Sequence, residues 1–298
     1  MSLERKKWAA GSAPVTVVML TLNEEHSLRN ALENISDWAA NVFIVDSLSS
    51  DRTVDIALEH GATVVQRPFS GFGDQWNFAI EHAPQNAPWT MKLDPDERLS
   101  PELKDSLKAE MNSSDPVQGL RLKRRLYLMG ERLPVVQELL RAWRTGSCRF
   151  SDVSVNEHPF VKGKQVCVNG ELEHHDSPDL GHWLHKQNSY TTAEASARFR
   201  NDELSAQPRL LGSSFERRMW LKKKFWSFPF RYAILYLYHL LVLGAWRSGR
   251  VGFIWCRLRT EVFRMIEYKE FEMRKAGSIP QRHASGHSEP DTRVEQFT

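Results

Sequence analysis

The chain is poor in cysteine, and it lacks both an apolar N-terminus and internal repeats. Its 298 residues include three cysteines, Cys148, Cys167 and Cys256, which show no metal-ligand spacing. Scattered cysteines exclude a disulfide framework and indicate reduced thiols in a cytosolic protein. The basic segment 1–15 has no apolar run behind it, so it does not have the pattern of a secretory signal. With 41% hydrophobic and 26% charged residues, the composition is that of a globular protein.

Charge is distributed unevenly along the chain. From Arg209 to Arg264 there are twelve Lys or Arg residues and two Glu, a charge of about +10, whereas the whole chain carries +3, so the remainder is close to −7. An acidic body followed by a basic and apolar segment is typical of a protein that contacts anionic lipid. A nucleic-acid interface or an ordinary solvated helix face are the alternatives. The long apolar stretch between the basic residues favours lipid, so we expect no nucleic-acid partner.

Strand and helix patterns alternate over the first hundred residues. Apolar runs predict four strands, at Val15–Leu20, Val42–Val45, Thr63–Val65 and Trp89–Leu93. Helical patterns follow them, at 23–35, Asp51–His60, Asp74–His82 and from Pro101 to about Met111. This alternation predicts an α/β fold with a mostly parallel sheet and helices on both faces. In such sheets ligands bind beyond the carboxyl ends of the strands.

Polar side chains follow each predicted strand: Thr21, Asn23 and Glu24 after the first, Asp46 after the second, Arg67 after the third, and Asp94, Asp96 and Glu97 after the fourth. Two carboxylates one residue apart can bind Mg²⁺ together with substrate phosphates. An ion there would neutralise a departing diphosphate. The alternative is an acidic turn that only favours the N-terminus of the next helix. Asp46 could accept a hydrogen bond from a base or a ribose hydroxyl, with Thr21, Asn23 and Glu24 lining the same pocket.

The second half shows weaker patterns. Residues 117–175 predict shorter strands, and His182–Arg200 predicts a helix. A second, basic helix is expected at Ile254–Arg274, and segment 276–298, rich in Gly, Ser, Pro and His, is expected to be disordered.

The apolar and aromatic segment Phe228–Trp246 is nearly long enough to span a bilayer. It contains Pro229, Arg231 and His239, and a charge within a span is costly. We therefore favour a peripheral or shallowly inserted helix over a full span. A pair of helices in a soluble core is the alternative.

Four pieces of the first half resemble the inverting glycosyltransferases of family 2, which have the GT-A fold. They are VTVVMLTLNEE, FIVDSLSSDRTVDIA, GFGDQWNFAI and MKLDPDE, and their order and spacing match across residues 14–112. The chain is most similar to the subgroup that adds glucose or a related sugar to lipopolysaccharide core. It departs from that subgroup at Leu48, where Gly is usual, and at Trp76, where Lys or Arg is usual.

The resemblance implies roles for matched residues. Asp46 would hold the base or ribose of the donor, Asp94 the ribose or a metal, and Asp96 the divalent ion, Mg²⁺ or Mn²⁺. Gln75 and Asn77 would line the donor pocket. In the second half, Asn156-Glu157 stands where the subgroup has His-Glu, so Glu157 is the candidate base that deprotonates the acceptor hydroxyl, with Glu171 and Asp152 as alternatives. His174 or His175 could ligate the metal or a phosphate, although a structural histidine is an alternative.

The resulting expectation is a metal-dependent glycosyltransferase at the cytoplasmic face of a bacterial inner membrane. Its donor would be a nucleotide-diphosphate sugar, with UDP the usual carrier of the family, and its acceptor a cell-envelope glycan or glycolipid. We expect an N-terminal tail (1–13), a catalytic domain (14–205) with a nucleotide-binding half (14–112) and an acceptor half (113–205), a helical membrane-associating segment (206–275) and a disordered tail (276–298). A nucleotidylyltransferase would normally have a Gly-rich loop after the first strand, which TLNEE lacks. A non-catalytic nucleotide-sugar-binding protein is the other alternative.

Overall fold

The computed structural model describes residues 6–151, 158–200, 224–280 and 290–297, together with 209, 211, 217, 220 and 221. The strands are β1 (Ala13–Thr21), β2 (Ala39–Asp46), β3 (Thr63–Gln66), β4 (Trp89–Lys92), β5 (Glu97–Leu99), β6 (Gly119–Leu128), β7 (Glu131–Arg144), β8 (Cys148–Phe150), β9 (Pro159–Val161), β10 (Gln165–His175) and β11 (Glu295–Gln296). The helices are α1 (Leu28–Ile35), α2 (Thr53–Glu59), α3 (Phe72–His82), α4 (Pro101–Met111), α5 (Leu180–Arg200), α6 (Arg231–Leu237) and α7 (Gly249–Ala276).

The alternation predicted for the first half is confirmed. Strands β3, β2, β1 and β4 lie side by side and parallel. Helix α2 ends at Glu59 and is followed by Gly61, whose φ of +80° is readily adopted only by glycine. Helix α4 begins as expected, because Ser100 Oγ accepts a hydrogen bond of 3.2 Å from the Leu103 N–H and Pro101 occupies the first turn.

The second half extends the sheet to nine strands in the order β11-β3-β2-β1-β4-β7-β6-β10-β5. Strand β7 pairs antiparallel with both β4 and β6, whereas β10 pairs parallel with β6 and antiparallel with β5. The sheet is therefore mixed, and the expectation of short strands in 117–175 is wrong for β6, β7 and β10. Alternating exposed and buried residues, as in Arg121–Lys123, conceal the length of these strands in the sequence.

Helices cover both faces of the sheet. On β1, Val15, Val17 and Met19 pack in one core cluster with the buried faces of α1, α2 and α4. Val18 points to the other face and shares a cluster with Trp76 of α3. Successive residues of a strand point to opposite faces, which is why an uninterrupted apolar run marks a strand buried on both sides.

The C-terminal region is only partly as expected. The long helix α7 packs against α5 and the far end of β6 and β7, burying Trp255, Ile266 and Trp183 in one cluster. Segment Phe228–Trp246 is not one helix, since α6 is followed by a π-helical turn at Tyr238–Val242 and a 3₁₀ turn at Ala245–Ser248. Among the described residues, no helix has both the length and the apolar character needed to cross a bilayer.

The disorder expected for 276–298 does not extend to the last described residues. Strand β11 pairs in parallel with β3, and the Phe297 N–H donates to the Gln66 carbonyl at 2.8 Å. The Phe297 ring also packs edge-on against Phe78. Edge pairing of this kind depends on β3 being available in space, and so composition alone does not reveal it.

Candidate active site

Asp46 lies at the carboxyl end of β2 and is fully buried. Its Oδ1 accepts hydrogen bonds from Thr21 Oγ1 (2.8 Å) and Ser49 Oγ (2.5 Å), and its Oδ2 accepts from the Ser49 N–H (2.9 Å) and Gln66 Nε2 (2.8 Å). Each carboxylate oxygen thus has two protein donors. Asp46 and Thr21 therefore fix the loops after β1, β2 and β3 to one another. Their contact with a sugar-nucleotide substrate stays a prediction.

The loop after β1 is tied to the loop after β2. Asn23, with φ of +55°, accepts a hydrogen bond from the Ser50 N–H at 2.8 Å, and its own N–H donates to Ser49 Oγ at 2.9 Å. Glu24 accepts from Ser27 Oγ at 2.6 Å. Burial, and next the nearby charge of Asp96, raise the pKa of Glu24 to about 7. Glu24 therefore lies near Asp96, whereas the Asn23 side chain supports the turn between the loops.

Helix α3 and the loop before it carry Arg67, Gln75 and Asn77. Arg67 donates to Asp74 Oδ2 at 2.5 Å and to Gln75 Oε1 at 3.1 Å. Gln75 is buried and its Nε2 donates to Ser47 Oγ at 3.3 Å, so both Arg67 and Gln75 lie beside the loop after β2. Asn77 instead clamps the backbone of Phe150, accepting from its N–H (2.8 Å) and donating to its carbonyl (3.1 Å). The Asn77 amide therefore positions β8, and its contacts give no indication that it binds the sugar-nucleotide donor.

Arg141 of β7 holds two of the three carboxylates that follow β4. Its guanidinium donates to Asp94 Oδ2 at 2.9 Å and to Glu97 Oε1, while Glu97 Oε2 accepts from the Asp94 N–H at 3.0 Å. Burial opposes ionisation of Asp94, but Arg141 and Lys92 bring its pKa down to about 2. Glu97 is completely buried, and this burial raises its pKa. Glu97 and Arg141 thus lock the acidic turn in place.

Asp96 lies in a different environment. Its Oδ2 accepts from Lys186 Nζ at 2.7 Å and lies 3.3 Å from His174 Nε2. Its Oδ1 is buried and has no hydrogen-bond partner among the described residues. Although burial favours the neutral acid, His174 and Lys186 hold the pKa of Asp96 well below its usual range. Asp96 is thus an ionised, buried carboxylate with one uncommitted oxygen.

Asp96, His174 and Asp176 offer ligand atoms that lie within 4.8 Å of one another. Carboxylate oxygens are suitable ligands for Mn²⁺ or Mg²⁺, the imidazole nitrogen suits Mn²⁺ better than the harder Mg²⁺, and the unpartnered Asp96 Oδ1 is a further oxygen ligand. These residues therefore fit the divalent ion that the resemblance implies. Asp94 is held by Arg141 and is not part of this cluster. His175 also lies apart, with its ring stacked on Tyr127 and its Nε2 3.1 Å from Glu173.

Lys186 and Asp176 were not predicted from the sequence. The Lys186 ammonium lies 3.0 Å from Asp176 Oδ1 as well as beside Asp96. It comes from α5, where His182, Lys186 and Tyr190 share one face at i, i+4 and i+8. The His182 ring packs at a tilt against His26, and Tyr190 stacks on Phe72, so this face lies over the carboxyl edge of the sheet. The polar stripe on α5 was the available signal for a functional face.

The predicted base, Glu157, lies outside the described residues, as do Asn156 and the alternative base Asp152. The other alternative, Glu171, is engaged elsewhere: its Oε1 accepts from Arg125 at 2.5 Å and from Arg132 at 2.8 Å. Hydrogen bonds from these two arginines, Arg125 first, lower the pKa of Glu171. A carboxylate held in this way is a poor proton acceptor, so Glu157 stays the stronger candidate.

Comparison with known proteins gives one family. Residues 16–128 match the family described as Glycosyl transferase family 2. The chain is 29% identical over 253 residues to "Lipopolysaccharide core biosynthesis glycosyltransferase LpsC" of Rhizobium meliloti, with 81% of this chain and 86% of that protein covered. It is 26% identical over 196 residues to an "Uncharacterized glycosyltransferase" of Rickettsia prowazekii, covering 61% of this chain and 66% of that protein.

Two solved structures show weaker likeness. Glucosyl-3-phosphoglycerate synthase from Mycobacterium tuberculosis, crystallised with Mn²⁺, UDP and glucosyl-3-phosphoglycerate, is 22% identical with a TM-score of 0.33, over 38% of this chain and 44% of that one. A structure described as that of a mycobacterial protein is 17% identical with a TM-score of 0.38, over 61% and 73% of the two chains. The match to the first spans less than half of that protein's length.

Proposed function

We propose a substrate class for this chain, from the premise that it is a glycosyltransferase with a family 2 domain over residues 16–128. The chain transfers a sugar from a nucleotide-diphosphate donor, with a UDP-sugar as the preferred donor. The acceptor is a hydroxyl of a cell-envelope glycan or glycolipid. The observation that carries this proposal is the convergence of Asp96, His174 and Asp176 beyond the strand that ends before Asp94. The similarity to a lipopolysaccharide core glycosyltransferase over 81% of the chain supports lipopolysaccharide core as the acceptor.

The proposed reaction is an inverting displacement. The acceptor hydroxyl attacks the anomeric carbon of the donor sugar, Glu157 accepts the hydroxyl proton, and the nucleoside diphosphate leaves. Asp96, His174 and Asp176 would hold Mg²⁺ or Mn²⁺, which when bound neutralises charge on the leaving diphosphate. Arg141 keeps Asp94 ionised at the same edge of the sheet, where the carboxylate can accept from the ribose.

We also propose that the chain works at the cytoplasmic face of a bacterial inner membrane, attached to anionic lipid. Support comes from a patch of large, exposed apolar side chains just before α6 and in the turns after it. Phe230 is 84% exposed, Leu241 62%, Val242 71% and Trp246 51%. The exposed basic residues Arg247 and Arg250 lie beside this patch in the sequence. Apolar side chains that insert shallowly, next to basic groups that meet lipid phosphates, are typical of peripheral attachment.

The test is a donor screen with the purified full-length chain. Release of nucleoside diphosphate from a panel of nucleotide sugars is measured with Mn²⁺, Mg²⁺ or EDTA, using truncated lipopolysaccharide or membrane glycolipids as acceptors. Asp96→Ala should abolish transfer while the fold is kept, because it removes a ligand that contributes no apolar core. Asp105→Ala, an exposed carboxylate on α4, is the matched control.

Two outcomes would contradict the proposal. Donor binding without turnover on any acceptor would favour a non-catalytic nucleotide-sugar-binding protein. Near-normal transfer in EDTA would refute the role of the metal while leaving the transferase activity in place.

A further inference from the structure

The cluster that would hold a divalent ion already contains a cation supplied by the protein. Lys186 Nζ donates to Asp96 Oδ2 at 2.7 Å and to the Asp176 carbonyl at 3.1 Å, and it lies 3.0 Å from Asp176 Oδ1. The Lys186 side chain is only 20% exposed, and those of Asp96 and Asp176 are 7% and 13% exposed. The ammonium is thus a largely buried counter-ion between the same two carboxylates that a metal would use.

A divalent ion and the Lys186 ammonium compete for the same oxygens. Mg²⁺ binds oxygen ligands at about 2.0–2.1 Å, so an ion shared by Asp96 and Asp176 would occupy the gap in which Nζ now lies. Two carboxylates cannot compensate three positive charges, and like charges at this separation repel strongly in a buried site. The uncommitted Asp96 Oδ1 gives the incoming ion a first point of attachment.

Lys186 is also able to move without disturbing the fold. Its ammonium is carried on a flexible four-carbon stem. The helix itself is anchored by other residues of α5, among them the buried Trp183 and Ala195. Displacement of the ammonium therefore needs only a change of side-chain rotamer.

We propose that Lys186 is the resident counter-ion of this cluster, and that a divalent ion binds by displacing its ammonium from Asp96 and Asp176. This inference rests on the proposed metal-assisted transfer, and it adds a residue that sets the affinity for the metal. Lys186 weakens metal binding to the donor-free protein, and it keeps the buried carboxylates compensated until an ion arrives.

The test measures Mn²⁺ binding to the full-length chain in the absence of nucleotide. Calorimetry and the EPR signal of free Mn²⁺ are the two readouts. Lys186→Met removes the charge and keeps the length of the stem, and we expect it to bind Mn²⁺ at least tenfold tighter than the wild type. Lys186→Arg keeps the charge and should show no gain. Lys164→Met, which removes an exposed lysine paired with Asp115, is the matched control and should leave the affinity unchanged.

A second measurement uses the wild-type protein, so it does not depend on a variant that folds. Acetylation of lysines is read by mass spectrometry with and without saturating Mn²⁺. Labelling of Lys186 should increase with Mn²⁺, because the displaced amine loses its ion pairs, while labelling of Lys164 should not change.

The inference is overturned if Lys186→Met binds Mn²⁺ no tighter than the wild type, or if labelling of Lys186 is unaffected by Mn²⁺. Either result beside metal-dependent transfer would leave the proposed function standing. Tighter Mn²⁺ binding in a protein that turns over no donor would instead support the inference and count against the proposed function.

Discussion

Replacing Arg141 tests whether the buried charges behind the candidate site are mutually compensating. Arg141 is 4% exposed, and its guanidinium contacts both Asp94 and the fully buried Glu97. Arg141→Met keeps an unbranched apolar side chain of related length and removes the charge. Because Glu97 would then be a buried carboxylate without its main counter-ion, we expect a large loss of stability and a weaker hold on Asp94.

The structure sets the size of this loss. Breaking a buried ion pair by removing one partner costs roughly 3–5 kcal/mol. Arg124 lies 3.4 Å from Glu97 Oε1, and the Asp94 N–H donates to Glu97 Oε2. Because these groups still compensate part of the Glu97 charge, we expect a loss at the lower end of this energy range. A decrease of about 3 kcal/mol in the free energy of unfolding corresponds to a fall in Tm of roughly 6–12 °C for a chain of this size. The double variant Arg141→Met/Glu97→Gln should recover more than half of the loss, because the completely buried residue 97 then carries no charge.

The loss should also depend on pH. Burial already raises the pKa of Glu97 in the folded protein, and removing Arg141 raises it further. A carboxyl group whose folded pKa exceeds its unfolded value binds more protons in the folded state, so its contribution to stability falls as pH rises between the two values. The difference between variant and wild type should therefore be smaller at pH 5 than at pH 8.

Urea unfolding followed by circular dichroism measures both effects. Arg121→Met is the control, since Arg121 and its partner Glu138 are 36% and 49% exposed and such surface pairs contribute about 0–1 kcal/mol. A loss below about 1 kcal/mol for Arg141→Met, with no dependence on pH, would refute the reasoning. It would mean that Glu97 is neutral in the folded protein or finds another cation.

Three further predictions concern the base, the tail and the membrane. Glu157→Gln cannot accept a proton and should lower kcat by about 10²–10⁴ with donor affinity little changed; normal turnover with lost donor affinity would move the base elsewhere. Deleting residues 290–298 removes the hydrogen bonds of β11 to β3 and the Phe297 contact. It should lower the free energy of unfolding in urea by roughly 2–3 kcal/mol, at about 1 kcal/mol per hydrogen bond, and an unchanged value would contradict the pairing. The double variant Leu241→Asp/Val242→Asp should sediment less with anionic vesicles and should turn over a soluble acceptor normally. Tyr268→Asp, a control at an exposed residue of α7, should sediment like the wild type. Equal sedimentation of all variants would exclude this patch as the attachment surface.

Much of the first half of the chain could be predicted because its signals are local. Apolar runs mark strands buried on both faces, and the carboxyl ends of parallel strands share one edge of the sheet. Asp46, Arg67 and Asp94 lie at or just beyond the ends of β2, β3 and β4 as expected. The backbone of Leu48 explains why the resembling subgroup usually has glycine at this position. Its φ is +63°, in the left-handed region that favours glycine.

The second half could not be predicted to the same depth, since its arrangement depends on pairing between distant segments. Strand β7 is inserted antiparallel between β4 and β6, which brings Arg141 to the acidic turn 47 residues earlier in the chain. Strand β10 pairs with β6 and β5 and brings His174 to Asp96. Register of this kind is set by side-chain packing across strands, and a single sequence does not display it.

The charged residues of the site show how local sequence pattern and tertiary structure act together. Local pattern places four carboxylates, Asp46, Asp94, Asp96 and Glu97, at one edge of the sheet, and without the family resemblance it does not decide between Asp94 and Asp96 as the metal ligand. Tertiary structure separates them: Asp46 accepts four hydrogen bonds from its own loops, and Arg141 holds both Asp94 and Glu97.

Asp96 alone, among the carboxylates of the described residues, has a buried oxygen without a partner. Its other oxygen is compensated by the Lys186 ammonium, carried on a flexible stem, and by a histidine that can itself ligate a metal. An ion bound at this edge, as we propose, would replace a monovalent counter-ion there and would disrupt no element of the fold. The capacity to exchange partners, rather than the number of acidic residues, is therefore the reason why we propose Asp96 as the residue on which metal binding would depend.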